Sequence, residues 1–167
     1  MKYFYDCEFI EDGRTIDLVS LGVVAEDGRE FYAVSTEFDP DAAGRWVRKH
    51  VLPKLPNPSS SAWMSRARLR DELFEFLTRP GSSAGSIELW AWVGAYDHVA
   101  VCQLWGAMPA LPAEMPRFTR DVRQFWESAG RPQIPSQSNG AHDALVDARD
   151  TAAKYAAIVE APHRSGR

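Results

Sequence analysis

Short apolar runs separated by acidic-Gly turns fill the first part of the chain, and further along apolar residues recur at three- and four-residue spacing. Residues 2–10 carry Tyr3, Phe4, Tyr5 and Phe9 and run into Glu11-Asp12-Gly13, which predicts a strand entering a hairpin. Residues 16–25 (IDLVSLGVVA) end near a second turn, Asp27-Gly28, and residues 30–36 alternate as a third strand, so this part reads as an antiparallel meander. Pro53, Pro56 and Pro58 followed by Ser59, Ser60 and Ser61 mark an irregular loop. Beyond it, residues 66–77 bring Leu69, Leu73, Phe74, Phe76 and Leu77 close to one helical stripe, which the Gly/Ser segment 80–86 ends. Residues 87–93 (IELWAWV) predict a short apolar strand, 96–105 a helix directly beyond it, and 117–129 a short strand running into a helix. The last element, 143–159, carries Leu145, Ala148, Ala152, Tyr155, Ala156 and Val159 at helical spacing. A meander followed by helix, strand, helix and helix predicts an α/β fold, a mixed five-stranded sheet flanked by helices.

Composition narrows the class. A chain of 167 residues, 45% hydrophobic and 25% charged, suits one globular domain over residues 1–160 with a polar tail at 161–167, and argues against disorder or a disulfide-stapled scaffold. No run approaches the ~18 apolar residues of a membrane span, and acidic residues come too early for a signal peptide, so the expectation is a cytoplasmic protein with no membrane partner. Cys7 and Cys102 lack metal-knuckle spacing and read as buried thiols. Nineteen basic and 23 acidic residues leave a net charge of −4, which does not advertise a nucleic-acid binder.

The acids are more informative than their total. Asp6 and Glu8 lie two apart in an aromatic-rich strand, so the strand period turns both to one face, roughly 7 Å apart. On a central strand two such carboxylates repel and lose hydration at a cost of several kcal/mol unless a cation or strong hydrogen bonds compensate; on an edge strand they simply sit in water. Divalent magnesium suits the first case, and an ion pair about 4 Å apart is a common device for in-line attack on a phosphodiester. Asp97 follows the 87–93 strand by a short link, where it either favours a helix N-terminus or presents a ligand contact at a strand's carboxyl end. Asp147 lies within the last helix and His142 five residues earlier, free to lean over whatever that helix carries. An imidazole with an ordinary pKa near 6.5 can take a proton from water; equally, Asp143 and Asp147 suit a helix N-terminus and His142 can be a solvated residue.

Taken in order, Asp-x-Glu on the first strand, an Asp just after a later strand and His-x4-Asp at the last helix resemble the DEDDh group of 3'-5' exonucleases, RNase T-like enzymes with a ribonuclease H-like fold. The segments FYDCEFIEDGRTIDLVSLGVVAEDG and HDALVDARDTA are most similar to small actinobacterial 3'-exoribonucleases described as polyadenylate-specific. The resemblance implies that Asp6, Glu8, Asp97 and Asp147 bind two Mg2+ ions, with Mn2+ able to substitute, and that His142 is the general base in hydrolysis of the terminal phosphodiester of an RNA 3' end. It also implies a homodimer. Cys7 stands where these enzymes often have Thr, and no Asn lies just upstream of Asp97, departures that touch the terminal nucleotide's surroundings rather than a catalytic group. Phe9 beside Glu8 and Tyr96 beside Asp97 are candidates to stack on bases, Trp63 in the Pro/Ser loop is a candidate exposed platform, and Arg66 a candidate phosphate contact, whereas Trp90 and Trp92 read as core. A DNA 3'-exonuclease with the same residues, a catalytically silent RNA-binding module, or a single-cation structural site are the competing readings.

Overall fold

The computed structural model describes residues 1–79, 87–138 and 140–162. The expected 80–86 loop, Asn139 and the end of the polar tail lie outside the described residues. Gly13 (φ 81°) and Gly28 (φ 88°) supply the left-handed backbone that folds β1 (Lys2–Glu11), β2 (Ile16–Ala25) and β3 (Glu30–Ser35) into the expected antiparallel meander. β5 (Glu88–Ala91) joins the other side of β1 in parallel and β6 (Arg120–Asp121) joins β5, while β4 (Trp63–Met64) lies parallel to β3. The sheet therefore has six strands in the order β4-β3-β2-β1-β5-β6, one more than expected, because a two-residue edge strand is too short to show a period.

Between the strands run α1 (Arg45–His50), α2 (Arg66–Thr78) and α3 (Ala95–Cys102), and after β6 come α4 (Val122–Ser128) and α5 (Ala144–Glu160). Ser65 caps α2 by accepting from Arg68 N–H, and Asp143 caps α5 by accepting from Leu145 and Val146 N–H. The expected 96–105 helix ends at Cys102 and closes in a 3-10 turn, Gln103–Trp105. Among the described residues no helix is long and apolar enough to cross a membrane.

Alternation along β1 decides what lies on each face. Tyr3, Tyr5 and Cys7 enter the main core with Leu69, Leu73 and Leu77 of α2 and Ala100 and Val101 of α3. On the opposite face Phe4 joins a second cluster with Trp90, Val122 and Ile158, and Ile10 a third with Val19, Ala43 and Val51. Asp6 and Glu8 fall between these two small clusters, in the gap where α5 begins. Pairing passes from Glu8 opposite Ser20 to Phe9 opposite Leu18, so Val19 is an extra residue in β2, a bulge beside the acidic pair.

α5 reaches that gap because β2 offers no side chain beneath its first turn. A Cβ built on Gly22 would meet the Ala144 carbonyl carbon and oxygen and Leu145 Cα, all at 2.4 Å. Gly22 sits opposite Asp6 in the sheet, so the glycine lets the helix carrying Asp147 settle directly over the strand carrying Asp6.

Candidate active site

β1 pairs with β5 only as far as Phe4 opposite Trp90, which leaves the later amides of β1 without a strand partner on that side. The chain beyond β5 turns through Val93, held at φ 58°, into α3, and Asp97 takes up one of those amides: its Oδ1 accepts from Cys7 N–H at 2.8 Å. The acid thereby stands between Asp6 and Glu8 in sequence register, at the divergence of two parallel strands where α/β sheets place their ligands.

Asp147 arrives from the opposite direction on α5. Its Oδ2 accepts from His142 N–H at 2.7 Å and its Oδ1 from Gln137 Nε2 at 3.2 Å, so the loop before α5 wraps around this carboxylate. His142 holds φ 70°, a left-handed conformation uncommon for a side-chain-bearing residue, and its imidazole meets the edge of the Trp46 ring at 4.6 Å between centroids. His50, one helical turn beyond Trp46 on α1, lies 6.1 Å from the same imidazole.

Except for His50, these groups line one cleft of about 310 Å³. Asp6, Glu8, Asp97 and Asp147 supply its anionic part, His142, Trp46, Phe9 and Trp92 its ring-bearing part, and Lys154 stands on the same lining. Glu8 and Asp97 are buried, 8% and 7% exposed, without a cation bonded to either among the described residues. Burial, reinforced by the charges of Asp97, Glu8 and Asp147, holds the Asp6 carboxyl well above the usual range. Burial and then the charges of Asp147 and Asp97 push Glu8 up to about 8. Burial pushes Asp97 up to about 6, against the Cys7 amide, which favours its ionised form. For His142 burial lowers the pKa, Lys54 and His50 act in the same direction, and Asp147 opposes them.

Crowded carboxylates of which Asp6, Glu8 and Asp97 have their ionised forms disfavoured are a donor set short of positive charge, and hard carboxylate oxygens suit Mg2+ or Mn2+. One oxygen each from Glu8 and Asp147 and one ring nitrogen of His142 already lie within 4.8 Å of one another. The residues present therefore fit a divalent cation.

The other candidates divide. Phe9 lines the cleft and its ring stacks on Tyr96 at 5.9 Å with 12° between planes, leaving Tyr96 53% exposed at the rim. Trp63 is placed elsewhere: its Nε1 donates to the Pro56 carbonyl at 3.1 Å and its ring stacks on Phe38 in a separate apolar groove. Arg66 is ion-paired to Asp17 and its N–H donates to Glu37 at 2.8 Å, away from the cleft lining. Sequence reasoning missed Trp46, Gln137 and Lys154, and Trp92, read as core, packs against the second cluster as expected while also lining the cleft. Trp46 and His50 at four-residue spacing mark one face of a helix, and this was the available signal for α1.

The model of the Rv2179c-like 3'-5' exoribonuclease domain matches residues 1–159. Two curated relatives, the 3'-5' exoribonucleases MT2234.1 and Rv2179c of Mycobacterium tuberculosis (strains CDC 1551 / Oshkosh and H37Rv), are each 65% identical over 158 residues, covering 95% of this chain and 93% of theirs. Among solved structures, S. pombe Pop2p in its Mg2+- and Mn2+-bound form has a TM-score of 0.58 at 10% identity, over 90% of this chain and 79% of its own. Cell-death related nuclease 4 (CRN-4) has a TM-score of 0.53 at 12% identity, over 89% of this chain and 60% of its own. These two likenesses show the fold alone, the ribonuclease H-like α/β fold expected from the sequence.

Proposed function

The chain belongs to the Rv2179c-like 3'-5' exoribonuclease family, and on that premise we propose that it releases nucleoside 5'-monophosphates from RNA 3' ends, single-stranded tails or overhangs with poly(A) among them, by two-metal-ion hydrolysis with His142 as general base. The observation that carries this reading is convergence: β1, α3 and the approach to α5, far apart in sequence, deliver Asp6, Glu8, Asp97, Asp147 and His142 to one cleft.

Asp6, Glu8, Asp97 and Asp147 would hold the cations. When bound, Mg2+ or Mn2+ would supply Lewis-acid activation of water and neutralisation of charge at the leaving 3' oxygen. Burial holds the His142 pKa below its ordinary value, which favours the unprotonated ring, and a ring nitrogen beside Glu8 and Asp147 is positioned to take the proton of the attacking water. The same loop ties that base to its carboxylate, since the His142 amide and the Gln137 side chain both donate to Asp147. Phe9 and Tyr96 on one side and Trp46 on the other offer ring faces for the terminal bases.

A time course on 5'-labelled single-stranded RNA with Mg2+, beside the identical DNA strand and a His142→Ala control, tests the reading. A one-nucleotide ladder on RNA that the variant loses is expected. An equal or stronger ladder on DNA would move the assignment to a DNA exonuclease, and no ladder on either strand from folded, metal-loaded protein would leave a binding module.

A further inference from the structure

Among the described residues that line the cleft, Lys154 is the one Lys or Arg, and it does not stand alone. Its Nζ lies 4.7 Å from the centroid of Trp92, which lines the same cleft. Arg123, on α4, lies 5.8 Å from Trp92 and 5.5 Å from Trp126, and Arg131 lies 5.6 Å from Trp126. The two indoles are 6.3 Å apart. Cation and indole thus alternate from the lining of the cleft to the surface, ending at an Arg131 side chain that is 64% exposed.

Resting on the exoribonuclease reading, we propose that this Lys154–Trp92–Arg123–Trp126–Arg131 ladder is the track along which single-stranded RNA upstream of the terminal nucleotide leaves the cleft, its phosphates on the three cations and its bases on the indole faces. The cleft itself is anionic and repels the chain that must pass through it, so a polyanion needs positive charge immediately outside. Aromatic platforms interleaved with cations are the means by which proteins hold single strands without reading sequence. Among the described residues Glu127 is the one acid ion-paired to the ladder, 3.3 Å from Arg123 and 3.4 Å from Arg131. Both pairs are solvent-exposed, of the kind worth little in water, and phosphate can replace the carboxylate on either guanidinium. Glu127 therefore tempers the track rather than closing it.

A dinucleotide carries only the scissile phosphodiester and cannot reach Arg123 or Arg131 while seated, whereas a strand of roughly ten nucleotides can. The test is the ratio of kcat/KM on the long strand to kcat/KM on the dinucleotide, measured with Mg2+ for the wild type, Arg123→Gln/Arg131→Gln and Glu127→Gln. The double variant is expected to lower that ratio about tenfold and to flatten the slope of log KM against log salt for the long strand by roughly 1.4, two phosphate contacts' worth. Glu127→Gln, which frees both guanidiniums, is expected to raise the ratio. An active double variant with an unchanged ratio, or an equal loss on both substrates, would overturn the track alone. A wild-type enzyme inactive on both lengths would overturn the activity and the track with it.

Discussion

Gly22→Ala is the most direct test of how the fold assembles the cleft. The new Cβ would sit 2.4 Å from the backbone of Ala144 and Leu145, about 1 Å inside ordinary contact, and the obstacle is main chain rather than a side chain that can swing away. β2 is a central strand paired on both sides, so α5 must give. Overpacking of this kind costs about 1–3 kcal/mol, or roughly 2–12 °C in melting temperature for a domain this size. The larger effect falls on chemistry. Asp147 is three residues into the displaced helix, and it holds the His142 amide, so base and carboxylate move together away from Asp6 and Glu8. A displacement near 1 Å at reacting groups lowers rate by about a hundredfold. Exonuclease time courses at saturating Mg2+, read beside thermal unfolding, should show a variant that folds but has lost about two orders of magnitude in kcat. Wild-type rate together with wild-type stability would refute the claim that this glycine seats the helix.

Asp6→Asn and His142→Ala should each nearly abolish turnover while far-UV circular dichroism and cooperative unfolding persist; full activity in either would sink the assignment of those roles. In EDTA, Asp6, Glu8 and Asp97 have folded pKa values above their unfolded ones, so the folded state binds the extra protons and their contribution to stability is lost as pH rises. For Glu8 the window runs from 4.5 to about 8, an effect of up to a few kcal/mol. Glu8→Gln should therefore gain stability relative to wild type across that window in urea titrations, Mg2+ should remove the gain, and a difference independent of pH would contradict the burial argument. Trp46 is 52% exposed, so Trp46→Ala should leave the melting temperature within a degree or two while raising KM for RNA roughly tenfold, with Trp46→Phe restoring most of it; an unchanged KM would exclude the ring as a base platform.

Much of this protein is legible in its sequence because the features concerned are local. Turn glycines set the meander, the strand period puts Asp6 and Glu8 on one face, and the spacing from Leu145 to Val159 marks α5. The order of the acidic motifs likewise carries the family, since it needs no knowledge of distance. Elements too short to complete a period left little trace: α1 is six residues with no buried stripe, marked only by Trp46 and His50 at four-residue spacing, and β4 is two. Trp63 and Trp46 show the limit most clearly. Both are tryptophans in elements too short to show a period, yet one hydrogen-bonds Pro56 and stacks on Phe38 at the sheet's far edge while the other rests against His142. Trp92 and Lys154 are separated by more than a third of the chain, and only the packing of α5 across the sheet brings the cation onto the ring. Periodicity reports which face a residue takes within its own element; which distant face it meets is decided by close packing between elements, here by a glycine small enough to let α5 touch the strand beneath it.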